Sequence, residues 1–463
     1  MNALVQLHAR TGATAANVLT FAISVLAFLA AMPAMAAQTG VAVSDKIPSE
    51  VVRALAAGDY QDLIVQFDDG AIRQWAQVEV KKRRLLHEDP SIRDEKASRY
   101  RTLKQKAYDA AGIGSADVLR PYEHLPLAFV RVRGSLVLDR LVARGEVVAV
   151  FRDGRKYPTL DTTSAALVNQ PVAASLGFTG SGSTVLVIDS GVNYTLPDFG
   201  SCTSPGVPSS CKVAWYSDLS GTATQLDNSG HGTNVSGIVV GVAPNAKIAA
   251  ANVFGSGSST SDSLILQAIN WGIANRATYN IRALNMSLGD GTRNTSPCQN
   301  GNPYYSAVQN ALSAGIITVA SSGNEAYLNA VANPACTPGA ISVGAVYSAN
   351  WGGLAWSNCT DNSTAADKVT CFSNSASFLT LLAPGALITA GGLQYGGTSQ
   401  ASPFIAGAVA VLRSAFPSDT LAQTIARLTG GGVQVADARN GVVTPRVNFG
   451  QSVRPVTSRQ ISS

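Results

Sequence analysis

Charged residues are scarce in this sequence, and their scarcity is uneven. They make up 14% of the 463 residues, whereas hydrophobic residues make up 46%, a composition that excludes an intrinsically disordered chain. Residues 1–158 contain 22 Lys and Arg against 17 Asp and Glu, and residues 159–463 contain 12 against 12. The net charge of +5 therefore belongs to the first third. The charge-poor remainder argues against nucleic acid as a partner, and the contrast predicts two different domains joined near residue 158.

Several motifs are missing, and each absence argues against a class of protein. No G-x-S-x-G occurs, which argues against a lipase or esterase of the α/β-hydrolase type. No G-x-x-x-x-G-K follows a predicted strand, and Gly180-Ser-Gly182 precedes a strand, which argues against nucleotide binding. No C-x-x-C occurs and His231 is the only histidine after residue 158, which argues against a zinc site.

The first residues of the chain have the pattern of an export signal. No Asp, Glu, Lys or Arg occurs between Arg10 and Asp45, residues 18–32 are almost wholly apolar, and Ala34-Met35-Ala36 has the small-x-small form of a cleavage site. We therefore predict a signal peptide at residues 1–36, secretion to the outside or the periplasm, and no membrane association after its removal. An uncleaved anchor is the alternative, but the apolar stretch is shorter than the ~20 residues that span a bilayer.

All six cysteines lie after residue 201. An even number in an exported chain favours disulfides. The short separations favour sequential pairing of the cysteines, which are Cys202 with Cys211, Cys298 with Cys336, and Cys359 with Cys371.

The charged front segment predicts a small α+β domain. Strands are expected at residues 60–67, 127–132 and 147–151, with a further one near Val118, and helices at 71–111 and 135–143. Asp89 and Pro90 predict a break in the first helix and the start of a second. This order fits a ferredoxin-like unit at residues 45–157. The run Lys81-Lys-Arg-Arg84 is interpreted as a solvated helix face, with a nucleic-acid patch or a processing site as alternatives.

The larger part predicts an α/β fold. The apolar run at 183–188 ends in Asp189, as in a buried parallel strand with functional residues at its carboxyl end. Further strands are expected at 247–253, 283–286, 316–320 and 341–346, alternating with helices such as 263–279 and 306–314. An open, mostly parallel sheet with helices on both faces follows.

Three short strings bring together the residues of acyl transfer: Asp189-Ser-Gly, His231-Gly-Thr and Gly397-Thr-Ser399-Gln. Each alone has an ordinary interpretation, with Asp189 as a strand-end cap, His231 as a polar loop residue and Ser399 as the N-cap of an apolar helix at 403–416. Together they supply a carboxylate that orients an imidazole, an imidazole that accepts a proton, and a hydroxyl that attacks a carbonyl.

Residues 160–443 resemble the subtilisin-type serine proteases, the subtilases, whose catalytic order is Asp, His, Ser. Besides the three strings, the resemblance rests on further motifs, which are Leu196-Pro-Asp-Phe199, Gly241-Val-Ala-Pro-Asn-Ala246, Asn285-Met-Ser-Leu-Gly289, Ala320-Ser-Ser-Gly-Asn-Glu325 and Leu382-Ala-Pro-Gly385. The front segment is similar, more faintly, to the inhibitory propeptide of the same family. The resemblance implies a self-processing zymogen with a peptidase domain at 158–450 and a short polar tail at 451–463.

The resemblance also implies roles for individual residues. Ser399 would be the nucleophile, His231 the general base, Asp189 the orienting carboxylate and Asn324 the oxyanion-binding amide. The residues expected to bind substrate are Ser287, Leu288, Gly289, Ala320, Ser321, Ser322 and Gly323. Because substrate pairing through the backbone tolerates many sequences, a broad endopeptidase acting on polypeptides is expected. A catalytically silent protein that only binds peptides in the same cleft is the alternative.

The sequence departs from the family pattern at three places. The segment between His231 and Gly241 is too short for the family's calcium-binding loop, so that site is expected to be absent. We assign no residues to a structural calcium ion elsewhere in the chain. We expect the hydrolytic reaction to need no cofactor. Asn234 replaces a usual histidine, and Gln400 replaces a usual methionine, so slow inactivation by peroxide is expected. We further expect a monomer whose own front segment is its partner, with self-cleavage within residues 157–163.

Overall fold

The structure is a computed structural model that describes residues 46–47, 51–52, 55, 60–153, 166–299 and 301–454, together with the backbone of residues 155–158. The predicted signal peptide and most of the predicted self-cleavage segment lie outside these residues. We call residues 60–153 the front domain and residues 166–454 the main domain.

The front domain is a four-stranded antiparallel sheet with helices packed on one face. Its strands are β1 (Gln61–Phe67), β2 (Val118–Arg120), β3 (Leu127–Val132) and β4 (Val147–Arg152), in the order β2-β3-β1-β4. Its helices are α1 (Gly70–Lys82), α2 (Pro90–Ala111) and α3 (Ser135–Val142). This is the ferredoxin-like arrangement, with the additional strand near Val118 present.

Local sequence signals account for these elements. Asp89 caps α2 by accepting a hydrogen bond from the backbone of Ile92, and Pro90 is its first residue. Along β1, Leu63, Val65 and Phe67 join the front domain's own core, whereas Ile64 faces the main domain. This alternation follows from the two-residue period of a strand. The basic run at 81–84 is exposed at and just beyond the end of α1, as expected of a solvated helix face.

The main domain is built on a twisted sheet that has nine strands among the described residues. Its order is β19-β20-β16-β13-β12-β10-β6-β8-β7, and all neighbours are parallel except β19 and β20. The bounds are β6 (Thr184–Asp189), β7 (Val213–Asp218), β8 (Lys247–Asn252), β10 (Ile281–Met286), β12 (Ile317–Ser321), β13 (Ile341–Val346), β16 (Leu381–Pro384), β19 (Val433–Ala436) and β20 (Val443–Arg446).

Helices cover both faces of this sheet. Their bounds are α4 (Gln170–Ser175), α5 (His231–Val242), α6 (Asp262–Ala274), α7 (Tyr304–Ser313), α8 (Thr398–Ala415), α9 (Leu421–Gly430) and α10 (Phe449–Ser452). Val185 and Val187 of β6 pack with α5 and α8, whereas Leu186 and Ile188 pack with α6 and α7. The predicted open, mostly parallel α/β fold is confirmed.

Short strands complete the fold around the ends of the sheet. They are β5 (Arg155–Pro158), β9 (Thr260–Ser261), β11 (Leu288–Gly289), β14 (Leu354–Ala355), β15 (Thr360–Asp361), β17 (Ile388–Ala390) and β18 (Leu393–Tyr395). Near the last described residue, Ser452 and Val453 are buried against the core of the main domain. The packed domain therefore continues past residue 450, where the polar tail was expected to begin, because α10 docks there.

The front domain packs against α6 and α7 through one face of its sheet. Apolar side chains of β1, β3 and β4 join the core cluster that those helices form with the main sheet. Hydrogen bonds accompany this apolar packing: Asp153 accepts from the backbone N–H and hydroxyl of Ser263, each at 2.7 Å. Tyr100 donates to Asn310 at 2.8 Å. The front domain is therefore held on the main domain by apolar packing together with specific hydrogen bonds.

Candidate active site

Asp189 and His231 meet at the carboxyl end of the central sheet. Asp189 is the last residue of β6 and His231 the first residue of α5. His231 Nδ1 lies 2.7 Å from Asp189 Oδ1, and both side chains are buried. Asp189 Oδ1 also accepts a 2.7 Å hydrogen bond from the backbone N–H of Ser190. The pair is thus held at a strand end, where parallel sheets place functional groups.

Asp227, which the sequence did not single out, holds the turn that leads into His231. Its Oδ1 accepts hydrogen bonds from the backbone N–H groups of Ser229 and Gly230, and its Oδ2 accepts from the N–H and hydroxyl of Thr233. These donors include the otherwise unpaired N–H groups at the start of α5. The signal available in the sequence was an acid four residues before the histidine.

Ser399 is buried in the first turn of α8. The helix begins at Thr398, five residues earlier than predicted, with Gly397 as its N-cap. The interpretation of Ser399 as an N-cap is therefore wrong. The hydroxyl of Ser399 donates to the carbonyl of Ser287 at 3.1 Å, and the hydroxyl of Ser287 donates to the carbonyl of Ser399 at 2.6 Å. Ser399 is thus held near the positive end of the α8 dipole.

Asn324 follows β12 and is fixed to the start of α8. Its Oδ1 accepts 2.9 Å hydrogen bonds from both the backbone N–H and the hydroxyl of Thr398, next to Ser399. No described residue accepts a hydrogen bond from its Nδ2. Since the oxygen of this amide is engaged, its NH2 group is the part that remains for an external acceptor.

The loop that carries Asn324 is held by Asn374, which the sequence also did not reveal. Asn374 is fully buried; its Oδ1 accepts from the backbone N–H groups of Glu325 and Tyr327, and its Nδ2 donates to Ser322 O and Glu325 Oε2. Burial raises the pKa of Glu325. At Gly323, φ is +103°, and a Cβ would lie 2.3 Å from Asn374 Nδ2, so the loop requires glycine there.

The residues expected to bind substrate lie on two neighbouring segments. Ser287, Leu288 and Gly289 form β11 and its approach, and Leu288 and Gly289 pair antiparallel with Pro158 and Tyr157 of β5. Arg155 and Lys156 of the same strand pair with Ser261 and Thr260 of β9. The other expected segment, Ala320, Ser321, Ser322 and Gly323, is buried at the end of β12. The chain's own β5 therefore lies between two strands, as an extended peptide would.

The two unusual residues of the sequence, Asn234 and Gln400, contact each other. Gln400 Nε2 donates to Asn234 Oδ1 at 2.9 Å, and Asn234 Nδ2 donates to the carbonyl of Leu393 at 3.0 Å. Both side chains are fully buried. The pair therefore links α5, α8 and the β17–β18 hairpin. The sequence analysis did not predict that these two residues contact each other.

The structure contains three disulfides, and their pairing is the one that the cysteine spacing favoured. Cys202 is joined to Cys211, Cys298 to Cys336, and Cys359 to Cys371. Within the described residues, no group of three or more His, Cys, Asp or Glu side chains is arranged to hold a metal ion. None of the helices described combines the length and apolar character needed to cross a membrane.

A hydrogen-bonded acid and imidazole at the strand ends of an α/β sheet are typical of serine hydrolases, and comparison with known proteins defines the family. The model of the subtilase family (peptidase S8) matches residues 180–437. Subtilisin from Bacillus pumilus is 34% identical over 279 residues, which cover 56% of this chain and 87% of that protein. Subtilisin E from Bacillus subtilis (strain 168) is also 34% identical over 279 residues, but the match covers only 63% of its length.

Two further matches have lower sequence identity. The alkaline proteinase of Hapsidospora chrysogena is 32% identical over 273 residues, covering 54% of this chain and 61% of that protein. The crystal structure of a cold adapted subtilisin-like serine proteinase aligns with a TM-score of 0.47 at 27% identity, over 59% of this chain and 90% of that one. Because the family model matches more than half of the sequence, the chain belongs to the subtilase family. The resemblance inferred from the motifs is confirmed.

Proposed function

We propose that this protein is a secreted serine endopeptidase, made as a zymogen, that cleaves polypeptides through Asp189, His231 and Ser399. The buried 2.7 Å contact between Asp189 and His231 is the observation on which the proposal rests most directly. A carboxylate bound at Nδ1 fixes the tautomer in which Nε2 accepts a proton. Membership of the subtilase family supports assigning the nucleophile to Ser399.

The proposed reaction is acyl transfer in two stages. Ser399 Oγ attacks the peptide carbonyl carbon, its proton passes to His231, and the protonated imidazole then gives that proton to the leaving amine as the C–N bond breaks. Water, deprotonated by His231, attacks the resulting ester and releases the carboxylic acid and the free serine. No metal ion or cofactor takes part in the proposed reaction.

Asn324 and the first turn of α8 are the proposed oxyanion site. The carbonyl oxygen becomes negative in the tetrahedral intermediate and needs donors that are already in place. The amide of Asn324 is oriented by Thr398, and the N–H of Ser399 lies in a helical first turn, where the dipole favours negative charge. Both donors are thereby fixed relative to the proposed nucleophile.

Substrates are proposed to bind as an added strand between β11 and β9, with Ala320, Ser321, Ser322 and Gly323 forming the wall of the neighbouring pocket. The pairing of β5 with these strands supports this, because β5 is an extended segment bound there through its backbone. Backbone pairing gives affinity without strict sequence requirements, so the proposed substrates are polypeptides of broad sequence.

The same pairing supports a propeptide role for residues 45–157. The front domain covers α6 and α7, and Asp153 places a carboxylate at the first turn of α6, where negative charge is favourable. β5, which follows the front domain in the sequence, then enters the proposed substrate site. We propose that the front domain assists folding of the parallel sheet, whose non-local contacts form slowly, and that it blocks the site until self-cleavage.

Export completes the proposal. The signal peptide predicted at residues 1–36 and the three disulfides support export to an oxidising compartment outside the cytoplasm. We propose that the released peptidase is a monomer, with polypeptides and its own propeptide as its binding partners.

The deciding experiment compares the wild-type chain with Ser399→Ala in a host free of secreted proteases. The wild type should appear at the mature size and hydrolyse casein, and a serine-directed phosphonate should abolish hydrolysis. Ser399→Ala should accumulate as the full-length zymogen. A Ser399→Ala chain that still matures would refute self-processing, and a folded, mature wild type without activity toward casein would favour the silent peptide binder.

A further inference from the structure

Asp227 forms an unusually dense set of hydrogen bonds for a residue outside the proposed triad. Five donors reach its carboxylate: the backbone N–H groups of Ser229, Gly230 and Thr233, and the hydroxyls of Thr233 and Ser190. Its side chain is buried, so water contributes little to its solvation. Four of these donors belong to the turn and helix that carry His231, and the fifth belongs to the residue after Asp189.

Ser190 is the link between the two carboxylates. Its hydroxyl oxygen lies 2.9 Å from Asp227 Oδ1 and 3.2 Å from Asp189 Oδ1. The same oxygen accepts hydrogen bonds from the Gly232 N–H and the Ser229 hydroxyl, each at 2.9 Å. A hydroxyl has one proton to donate. With both acceptor positions of Ser190 filled, that proton can go to only one carboxylate, and the shorter distance favours Asp227.

We propose that Asp227 is a positioning residue for Asp189 and His231, acting by taking the hydroxyl proton of Ser190 and by fixing the turn before His231. The proposal rests on the proposed function, since it concerns the same reaction. If Ser190 donated instead to Asp189, that carboxylate would be stabilised by another hydrogen bond and would interact less strongly with the imidazole. Asp227 therefore keeps Asp189 available to stabilise the imidazolium that forms during the reaction.

Charged and titratable groups approach His231 and its turn from several elements of the main domain. They include Asp189 at the end of β6, Asp227 in the preceding turn and Tyr395 of β18, whose ring centre lies 6.0 Å from that of His231. The Tyr395 hydroxyl donates to the carbonyl of Ser229 at 2.7 Å, and burial raises the pKa of Tyr395 above its ordinary value, so this phenol adds no charge near neutral pH. No described Lys or Arg forms a salt bridge with Asp189 or Asp227.

The test is the pH dependence of kcat/KM for the mature enzyme on an uncharged peptide substrate, between about pH 5 and 9. In Asp227→Asn, the loss of charge and the turning of the Ser190 proton toward Asp189 both weaken the stabilisation of the imidazolium. The midpoint of the acid limb should fall by about half a pH unit or more. A residue that merely supports the fold would lower activity or stability without moving this midpoint.

Two further variants isolate the path through Ser190. Ser190→Ala alone should leave the midpoint nearly unmoved, because its proton belongs to Asp227 rather than Asp189. In the Ser190→Ala background, Asp227→Asn should lose at least half of its shift. Asp218→Asn is the matched control: Asp218 likewise holds a turn by accepting from Ser220 and Ala223, but it has no hydrogen bond to Ser190 or α5.

The outcomes separate this inference from the proposed function. An inactive wild type refutes the function. An active, phosphonate-sensitive wild type whose acid limb is unchanged in Asp227→Asn overturns the role of Asp227, and an undiminished shift in the Ser190→Ala background overturns the path through the hydroxyl. If Asp227→Asn does not mature, the Ser190→Ala variant decides the question. An unchanged midpoint of its acid limb supports the proposal. A midpoint raised by about half a pH unit overturns it, because the Ser190 proton would then have been donated to Asp189 in the wild type.

Discussion

The replacement of Asn374 by alanine should damage both stability and catalysis, although Asn374 is expected to touch no substrate. Its side chain makes four hydrogen bonds to the loop at 322–327, two as acceptor and two as donor. Removing it leaves the N–H groups of Glu325 and Tyr327 and the carbonyl of Ser322 without this partner. The same loop carries Asn324, so its displacement would move the proposed oxyanion donor.

The size of the effect follows from these contacts. A buried hydrogen bond contributes about 1 kcal/mol net, and each buried group left without a partner costs about 1–3 kcal/mol. Because the loop can relax toward water, we expect the free energy of unfolding to fall by about 3–5 kcal/mol rather than by the full sum. A misplaced oxyanion donor should also lower kcat by about tenfold or more, since one such donor contributes 10²- to 10³-fold.

Stability is best measured by urea unfolding of the full chain in the Ser399→Ala background, where autolysis cannot interfere. Activity is measured on mature Asn374→Ala, normalised by titration with a serine-directed reagent. Asn358→Ala is the matched control, because Asn358 donates a single 2.7 Å bond to the carbonyl of Asn324 from an exposed position. The control should change stability by less than about 1 kcal/mol. Equal unfolding curves and equal kcat for Asn374→Ala and the control would refute the reasoning.

Three further outcomes are expected. Asn324→Ala should lower kcat by about 10²- to 10³-fold with a smaller change in KM, and steady-state kinetics showing less than a fivefold loss would contradict its assignment. Gln400→Met should shorten the half-life of the mature enzyme in peroxide, because it introduces an oxidisable thioether beside Ser399; identical half-lives would count against this. Burial, followed by the charges of Arg276, Arg282, Arg413 and Arg93, lowers the pKa of His87 to about 4. Because the pKa of His87 in the complex of front and main domains lies below its ordinary ~6.5, protonation of His87 weakens that complex as the pH falls below about 6.5. The dissociation constant of the cleaved front domain should therefore be about tenfold to thirtyfold higher at pH 5 than at pH 8. Gel filtration of the cleaved complex measures this, and His87→Gln should flatten the dependence.

Much of the fold could be predicted because its signals are local. The run ending in Asp189 is apolar at successive positions, as a strand buried on both faces must be, and all of β6 is buried. The Asp89-Pro90 pair marks the start of α2 through capping chemistry that involves only neighbouring residues. The start of α8 was missed, because Thr398 and Ser399 have modest helix propensity and the helix there is stabilised by tertiary contacts instead.

The parts of the site that escaped prediction are those that depend on distant partners. Asn234 and Gln400 each looked like an isolated departure, yet they are 166 positions apart and hydrogen-bonded to each other. Asn374 lies 50 residues beyond Asn324 in the sequence and has no motif of its own. A polar residue in a loop has no local feature that distinguishes a buried role from a solvated one.

By itself the sequence determined which chemical groups are present, the order of strands and helices, and the family in which an acid, an imidazole and a hydroxyl occur in this order. Local propensity, capping and the burial period of strands carry that information along the chain. Only the tertiary structure decided that Asp227 and Ser190 adjoin Asp189, that Asn374 braces the Asn324 loop, and that β5 lies between β11 and β9. Hydrogen bonds between remote segments depend on how whole layers pack, and no short window of sequence contains both partners.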